Sequence, residues 1–234
     1  MSRNSLIPKG EIIFNLRHQS NQNEDNTVTK VLAEIEETAR MDSLPSIGPT
    51  KGKIVESVLN EHKPKKVLEI GTLHGYSAIL IANTVSSCLY GSKNLDADTD
   101  TKYSEPIVIS VEKDEKLATI ARKNIKNSRL SNLIQVIIGD AIRVIPNLKT
   151  KFNMIFLDAT KNEYLRYLQL VEEYGLLEKR AVIVADNVIL FEDEMKDYLD
   201  YVRHSGKYLS HITETSLEFT KNVTDALEVS ISLA

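Results

Sequence analysis

From residue 27 onward, helical stripes and unbroken apolar runs alternate along the chain. Val28, Val31, Leu32, Ile35 and Ala39 recur at helical spacing and predict an amphipathic helix from about Thr27 to Met41. A Pro/Gly loop, Leu44 to Thr50, leads to a second helix, Lys51 to Asn60, which delivers the chain to the apolar run at Val67. A glycine turn follows, then a helix from Ser77 to Val85. The same alternation repeats as strand Ile107 to Val111, helix Glu115 to Asn127 and strand Leu133 to Ile138. A turn at Gly139-Asp140 enters a short helix stopped near Pro146, and strand Asn153 to Leu157, helix Asn162 to Glu173, strand Ala181 to Ala185 and helix Phe191 to Val202 follow. Runs without polar alternation mark parallel strands covered on both faces.

The tail changes period. Tyr208 to Phe219 and Ala226 to Leu233 have no helix between them, and Leu227, Val229, Ile231 and Leu233 alternate with Glu228, Ser230 and Ser232. This predicts an antiparallel pair. Five βα-type strands plus a terminal hairpin give an α/β fold, a doubly wound, Rossmann-like seven-stranded sheet.

With 234 residues, 42% hydrophobic and 26% charged, the chain suits one domain with a substantial core. Residues 1–26 read as a polar lead-in and 88–106 as a surface insertion. The net charge of −4 provides no basic field for nucleic acid or anionic membrane, which favours a small-molecule partner and leaves the oligomeric state open, a homodimer included. Cys88 is the single cysteine, excluding an intrachain disulfide. No apolar run reaches membrane-spanning length, about 18 residues, and a cytoplasmic location is expected.

The chemistry begins at Lys66-Val-Leu-Glu-Ile-Gly-Thr-Leu-His-Gly-Tyr-Ser77, a strand, tight turn and helix of the kind that faces a nucleotide-type cofactor. A dinucleotide fingerprint carries a middle glycine where the backbone approaches pyrophosphate; here Leu73 stands in that place, so a nucleoside without phosphate, such as S-adenosylmethionine, fits better. Gly71 and Gly75 also suit an ordinary βα turn. Glu112 lies 41 residues after Gly71, or 22 once the 19 residues of 88–106 are set aside, which matches the expected ribose-binding acid about 20 residues on. Its carboxylate is expected to accept from both ribose hydroxyls.

Glu69, Glu112, Asp140, Asp158 and Asp186 all fall at carboxyl ends of strands, the rim where such sheets bind ligands. So many acids need cationic or hydrogen-bonding partners. Asp158, Asp186 and Asn187 offer three oxygen ligands without His or Cys, which points to Mg²⁺ rather than zinc; the two aspartates also suit turn capping. Lys161, three residues after Asp158, sits where a helix dipole disfavours a cation, and beside a bound cation it is expected to serve as a general base.

These residues, with Gly139-Asp140, Phe156-Leu-Asp-Ala-Thr-Lys161, Ala185-Asp-Asn187 and Ser216-Leu-Glu-Phe219, resemble the metal-dependent catechol O-methyltransferase family of class I methyltransferases. The resemblance implies that Glu69 and Ser77 bind the methionine end of S-adenosylmethionine, Gly71 and Asp158 flank the cofactor, Glu112 takes the ribose, and Asp140 and Ala141 the adenine. It implies Asp158, Asp186 and Asn187 as metal ligands, Lys161 as base, and Lys161, Asn187 and Glu218 as acceptor contacts. Animal catechol enzymes carry His and Trp where this chain has Ala159 and Thr160, and the chain has no tryptophan. The expected reaction is in-line methyl transfer to a catechol-like hydroxyl. Rival readings are a caffeoyl-CoA-type enzyme, a tRNA hydroxyuridine methyltransferase, a nucleotide-dependent dehydrogenase and a non-catalytic cofactor-binding module.

Overall fold

The structure, a computed structural model, describes residues 27–90, 105–220 and 223–234. The apolar stripe of the first segment forms α1 (27–42), followed by α2 (Gly48–His62), β1 (Val67–Ile70), α3 (Tyr76–Tyr90), β2 (Val108–Glu112), α4 (Glu115–Asn127), β3 (Ile134–Ile138), α5 (Ala141–Val144), β4 (Phe152–Leu157), α6 (Tyr164–Glu173), β5 (Leu177–Asp186), α7 (Lys196–His204), β6 (Tyr208–Ser216) and β7 (Thr224–Ser232). Single 3₁₀ turns follow α5 and precede α6.

The seven strands form one sheet in the order β3-β2-β1-β4-β5-β7-β6, with β1 to β5 parallel and β7 antiparallel to both its neighbours. Successive residues of each parallel strand face opposite layers. Val67, Val108, Met154, Phe156 and Val184 meet α1 to α4, whereas Leu68, Ile109, Ile155, Leu157 and Ile183 meet α5 to α7. Both faces are therefore dry, as the unbroken apolar runs require. Because the chain passes from β1 to β2 and β3 on one side and returns to β4 on the other, the strand order reverses between β1 and β4. Their carboxyl ends open a crevice there.

Several boundaries differ from the expectation. Helix α3 continues through Tyr90, so Cys88, Leu89 and Tyr90 belong to a helix rather than to the insertion; residues 91–104 lie outside the described residues, as does the 1–26 lead-in. Helix α2 begins at Gly48, with Pro49 in its first turn where no amide hydrogen is needed. The stretch 191–195 forms turns and α7 starts at Lys196, so Phe191 is a loop residue. Glu218 lies in the turn after β6, not in the strand. Finally, Glu228, Ser230 and Ser232 of β7 are as buried as its apolar residues, because the strand lies inside the sheet. Glu228 is held by Arg203 of α7 at 3.0 and 2.7 Å, and Ser230 receives the Ser210 hydroxyl at 2.7 Å.

Candidate active site

The register Ile70↔Leu157 places Gly71 against Asp158, whose amide donates to the Ile70 carbonyl at 2.9 Å. The register Leu157↔Ala185 places Asp158 beside Asp186 in the same way. Three strands thus bring one glycine and two carboxylates to one edge. They open onto a cleft of about 730 Å³ lined also by Leu73, Glu112, Asp140, Ala141, Lys161, Asn187 and Glu218.

Asp158 Oδ1 accepts from Lys161 Nζ at 2.9 Å, and the same amine donates to the Tyr164 hydroxyl at 2.8 Å. Asp186 is almost wholly buried; burial and the facing charge of Asp158 push its carboxyl up to about 7. Its Oδ1 accepts from Lys51 Nζ at 2.5 Å and from the Asn187 amide at 2.7 Å. Asn187 holds a left-handed backbone, φ +68°, a conformation that asparagine tolerates better than most non-glycine residues. Among the described residues no three acidic, histidine or cysteine side chains converge as a metal site; the predicted set is two carboxylates and an amide.

The cofactor-side predictions divide. Glu112 Oε2 accepts the amides of Thr72 at 3.1 Å and Leu73 at 2.9 Å, and its Oε1 accepts Asp114 at 3.0 Å. A carboxylate has about four acceptor sites, so with three amides bound Glu112 keeps acceptor capacity on Oε1, and it lines the cleft. The same contacts consume the loop amides that a pyrophosphate would need, and Leu73, at φ +48°, completes that turn. Asp140 accepts the Ile142 amide at 2.9 Å, capping α5, and stays exposed at the cleft beside buried Ala141.

Glu69 and Ser77 do not line the large cleft. Ser77 lines a narrow crevice that shares Gly71, Leu73 and Asp158 with it. Glu69 is fully buried; burial pushes its carboxyl up to about 8 against the opposing effect of the Ser110 and Ser77 hydroxyls. Ser110 donates to its Oε2, whereas its Oε1 and the hydroxyl of nearby Ser46 are buried with no hydrogen-bond partner. Burying an unpaired polar atom costs about 1–3 kcal/mol; Ser46, which lines both the crevice and the cleft, is the one that a ligand there could partner.

Glu218 is anchored more firmly than the sequence suggests. Its Oε1 accepts the amides of Thr50 and, at 3.3 Å, Lys51, so a residue far along the chain caps α2. A Cβ on Gly48 would stand 2.6 Å from Glu218 Cγ, which explains glycine at that helix start.

Two functional candidates escape a reading of the sequence. Lys51 is buried to 1% exposure and reaches Asp186 and, at 2.6 Å, Asp225. Burial opposes its charge, but the two carboxylates outweigh it and leave its pKa raised. Asp225 is buried too; the bonds from Lys51 and Asn187 overcome burial and hold its carboxyl below the usual range. A signal existed: Lys51, Val55, Val58 and Leu59 fall on the buried stripe of α2. A lysine on such a stripe needs an acidic partner.

The O-methyltransferase family model matches residues 19–204. Catechol O-methyltransferase B of Danio rerio is 35% identical over 80% of this chain and 66% of its own length, and catechol O-methyltransferase of Bos taurus is 33% identical over 78% and 61%. The chain thus spans just under two thirds of these relatives, although it covers 91% of the 33% identical Sus scrofa catechol O-methyltransferase. An O-methyltransferase from Bacillus cereus in complex with SAH has the same fold, with a TM-score of 0.69 at 24% identity over 88% of this chain and 90% of that one. An SAH-bound methyltransferase from Podospora anserina matches 98% of this chain and 99% of its own, with a TM-score of 0.67 at 20% identity. The cleft at the strand reversal, the seven-stranded sheet and these likenesses agree, and the chain belongs to the O-methyltransferase family, with the Rossmann-like fold of class I methyltransferases.

Proposed function

We propose that this chain transfers a methyl group from S-adenosylmethionine to one hydroxyl of a catechol-like small molecule, with Mg²⁺ held by Asp158, Asp186 and Asn187. The observation that carries this reading is the shared cleft: Gly71, Leu73, Glu112, Asp140 and Ala141 line it together with Asp158, Lys161, Asp186, Asn187 and Glu218. A donor and an acceptor held there would be neighbours, and such proximity removes much of the entropic barrier.

The cofactor reading is supported by the unpartnered Ser46 Oγ beside the turn, which suits the polar end of an amino-acid-bearing nucleoside. The cation reading is supported by two adjacent carboxylates, Asp186 being raised by burial first and by the facing Asp158 second, and by a donor set of hard oxygens. S-adenosylmethionine, when bound, supplies an electrophilic methyl on a sulfonium, and the cation supplies charge that acidifies the acceptor hydroxyl.

The chain's own residues address the remaining barrier. At pH 7 only about one part in 10³ of a phenol with pKa near 10 is ionised, a deficit of roughly 4 kcal/mol. Lys161 Nζ, in its neutral form, would take that proton, and the ammonium so formed would be held by Asp158 Oδ1, its partner at 2.9 Å. Leu190, Phe191, Leu217 and Phe219 line the same cleft and offer apolar surface to an aromatic ring. Glu218 keeps Oε1 on the α2 amides, leaving Oε2 for a second hydroxyl. The net charge of −4 disfavours a polyanionic acceptor such as tRNA.

Labelled methyl transfer from S-adenosylmethionine to catechols, hydroxycinnamoyl thioesters and bulk tRNA, each with Mg²⁺ and with excess EDTA, tests the reading. Cation-dependent labelling of catechols is expected. Full activity in EDTA would remove the cation, labelling confined to thioesters or tRNA would replace the acceptor, and cofactor binding with no transfer to any of them would leave a binding module.

A further inference from the structure

Asn187 can present either end of its side-chain amide to the cleft, and only the oxygen end can serve a cation. We propose that Asp225 is the positioning residue that decides this, with Lys51 locking Asp225 and Asp186 together; the proposal rests on the cation reading above.

The geometry is specific. Asn187 Nδ2 donates to Asp225 Oδ2 at 2.8 Å, and the same oxygen accepts Lys51 Nζ at 2.6 Å. Asp225 Oδ1 accepts the backbone amides of Leu190 at 3.1 Å and Ile189 at 3.4 Å. Four donors fill the four acceptor sites of one carboxylate, so Asp225 has nothing left for a ligand, and it is fully buried behind the cleft rather than part of its lining. An ionised carboxylate only accepts, so the amide nitrogen must face Asp225 and the Asn187 oxygen must face away from it. Lys51, buried on α2, completes the link by bonding Asp186 Oδ1 at 2.5 Å. One ammonium thereby ties two of the three predicted ligands, Asp186 directly and Asn187 through Asp225, to a helix that is itself capped by Glu218.

The test is Mn²⁺ affinity, read from the electron paramagnetic resonance of free Mn²⁺, in the wild type, Asp225→Asn and the double variant Asp225→Asn/Asn187→Asp. In Asp225→Asn a side-chain amide replaces one oxygen and lets Asn187 turn its nitrogen to the cleft, so Mn²⁺ affinity should fall about 10- to 100-fold, the usual cost of losing a group that orients a metal ligand. S-adenosylhomocysteine affinity should stay within about twofold, on the proposal's own logic that only the amide has moved. The double variant restores a donor facing an acceptor and leaves an oxygen facing the cleft whichever way residue 187 turns; it should recover Mn²⁺ binding.

Wild-type protein that binds no Mn²⁺ would overturn the cation reading itself. Wild-type binding with an unchanged Asp225→Asn, or a loss that the double variant does not restore, would overturn the positioning role alone. Should Asp225→Asn fail to fold, the wild type still decides. The side-chain amide protons of Asn187 should exchange slowly and stay protected when Mg²⁺ is added, and rapid exchange would show the amide the other way round.

Discussion

A Cβ built on Gly71 would stand 2.0 Å from the carbonyl oxygen of Asp158. The two residues meet where β1 and β4 part, so the glycine at φ +99° is what lets the cofactor turn and the first acidic residue share one edge. Gly71→Ala should lose at least about 2 kcal/mol, since the left-handed backbone alone costs about 1–3 kcal/mol and the strand ends must also separate. Gly75→Ala is the internal comparison: its Cβ would meet Ala121 at an ordinary 3.4 Å, leaving only backbone strain. Urea denaturation of both variants checks the order, and equal losses would contradict it.

Lys161→Met removes the amine that contacts Asp158 and Tyr164 while keeping most of the stem. If Lys161 takes the acceptor proton, kcat should fall roughly 10²- to 10⁴-fold while the melting temperature changes little. Steady-state kinetics at pH 7 decide it; a kcat near that of the wild type would reduce Lys161 to an ion-pair partner.

Glu218→Gln keeps a carbonyl oxygen for the Thr50 and Lys51 amides, so α2 should remain capped. What it loses is the charge at the second oxygen. A hydrogen bond to a charged acceptor contributes about 1.5–3 kcal/mol, so kcat/KM for a catechol should drop about 10- to 100-fold relative to a matched monophenol. Parallel declines for the two substrates would place Glu218 outside acceptor recognition.

The buried carboxyl of Glu69 gives a pH dependence with a definite sign. Its pKa rises from 4.5 to about 8 on folding, so between those values the folded protein binds more protons than the unfolded chain. Its contribution to stability is full below about 4.5 and is lost as pH rises through about 8. Asp186, raised to about 7, acts in the same direction. Denaturation at pH 6 and pH 8.5 should therefore show the ligand-free protein weaker at the higher pH, and Glu69→Gln should reduce that difference. A difference undiminished in the variant would assign the effect elsewhere.

Arg203 bonds both oxygens of Glu228, which is almost fully buried within β7. Arg203→Met leaves that carboxylate unpaired in the sheet, and stranding a buried charge in this way costs about 3 kcal/mol or more. Thermal unfolding should show a clear loss, with Arg203→Met/Glu228→Gln recovering part of it. A single variant as stable as the wild type would mean that Glu228 finds water instead.

The sequence by itself determined the strands, because a strand buried on both faces must be mostly apolar, and the strand expected at Asn153 to Leu157 forms as Phe152–Leu157, apolar but for Asn153. It also pointed to strand ends as the place for acidic side chains: Glu112, Asp158 and Asp186 stand at or just past the ends of β2, β4 and β5, whereas Glu69 lies inside β1, one residue short of its end. The helix ends were less legible: α3 runs on to Tyr90 because packing carries a helix past its last clear apolar repeat. Only the tertiary structure decided who faces whom. The burial of Glu228 depends on β7 lying between β5 and β6, a matter of sheet order. The engagement of Glu112 by the glycine-loop amides, of Glu218 by α2, and of Asp186 and Asn187 by the Lys51–Asp225 pair links residues from 38 to 174 positions apart. Such pairings have no local period to betray them; they follow from strand order and from the rule that a charge taken out of water must find an opposite charge or a donor wherever the fold has placed one.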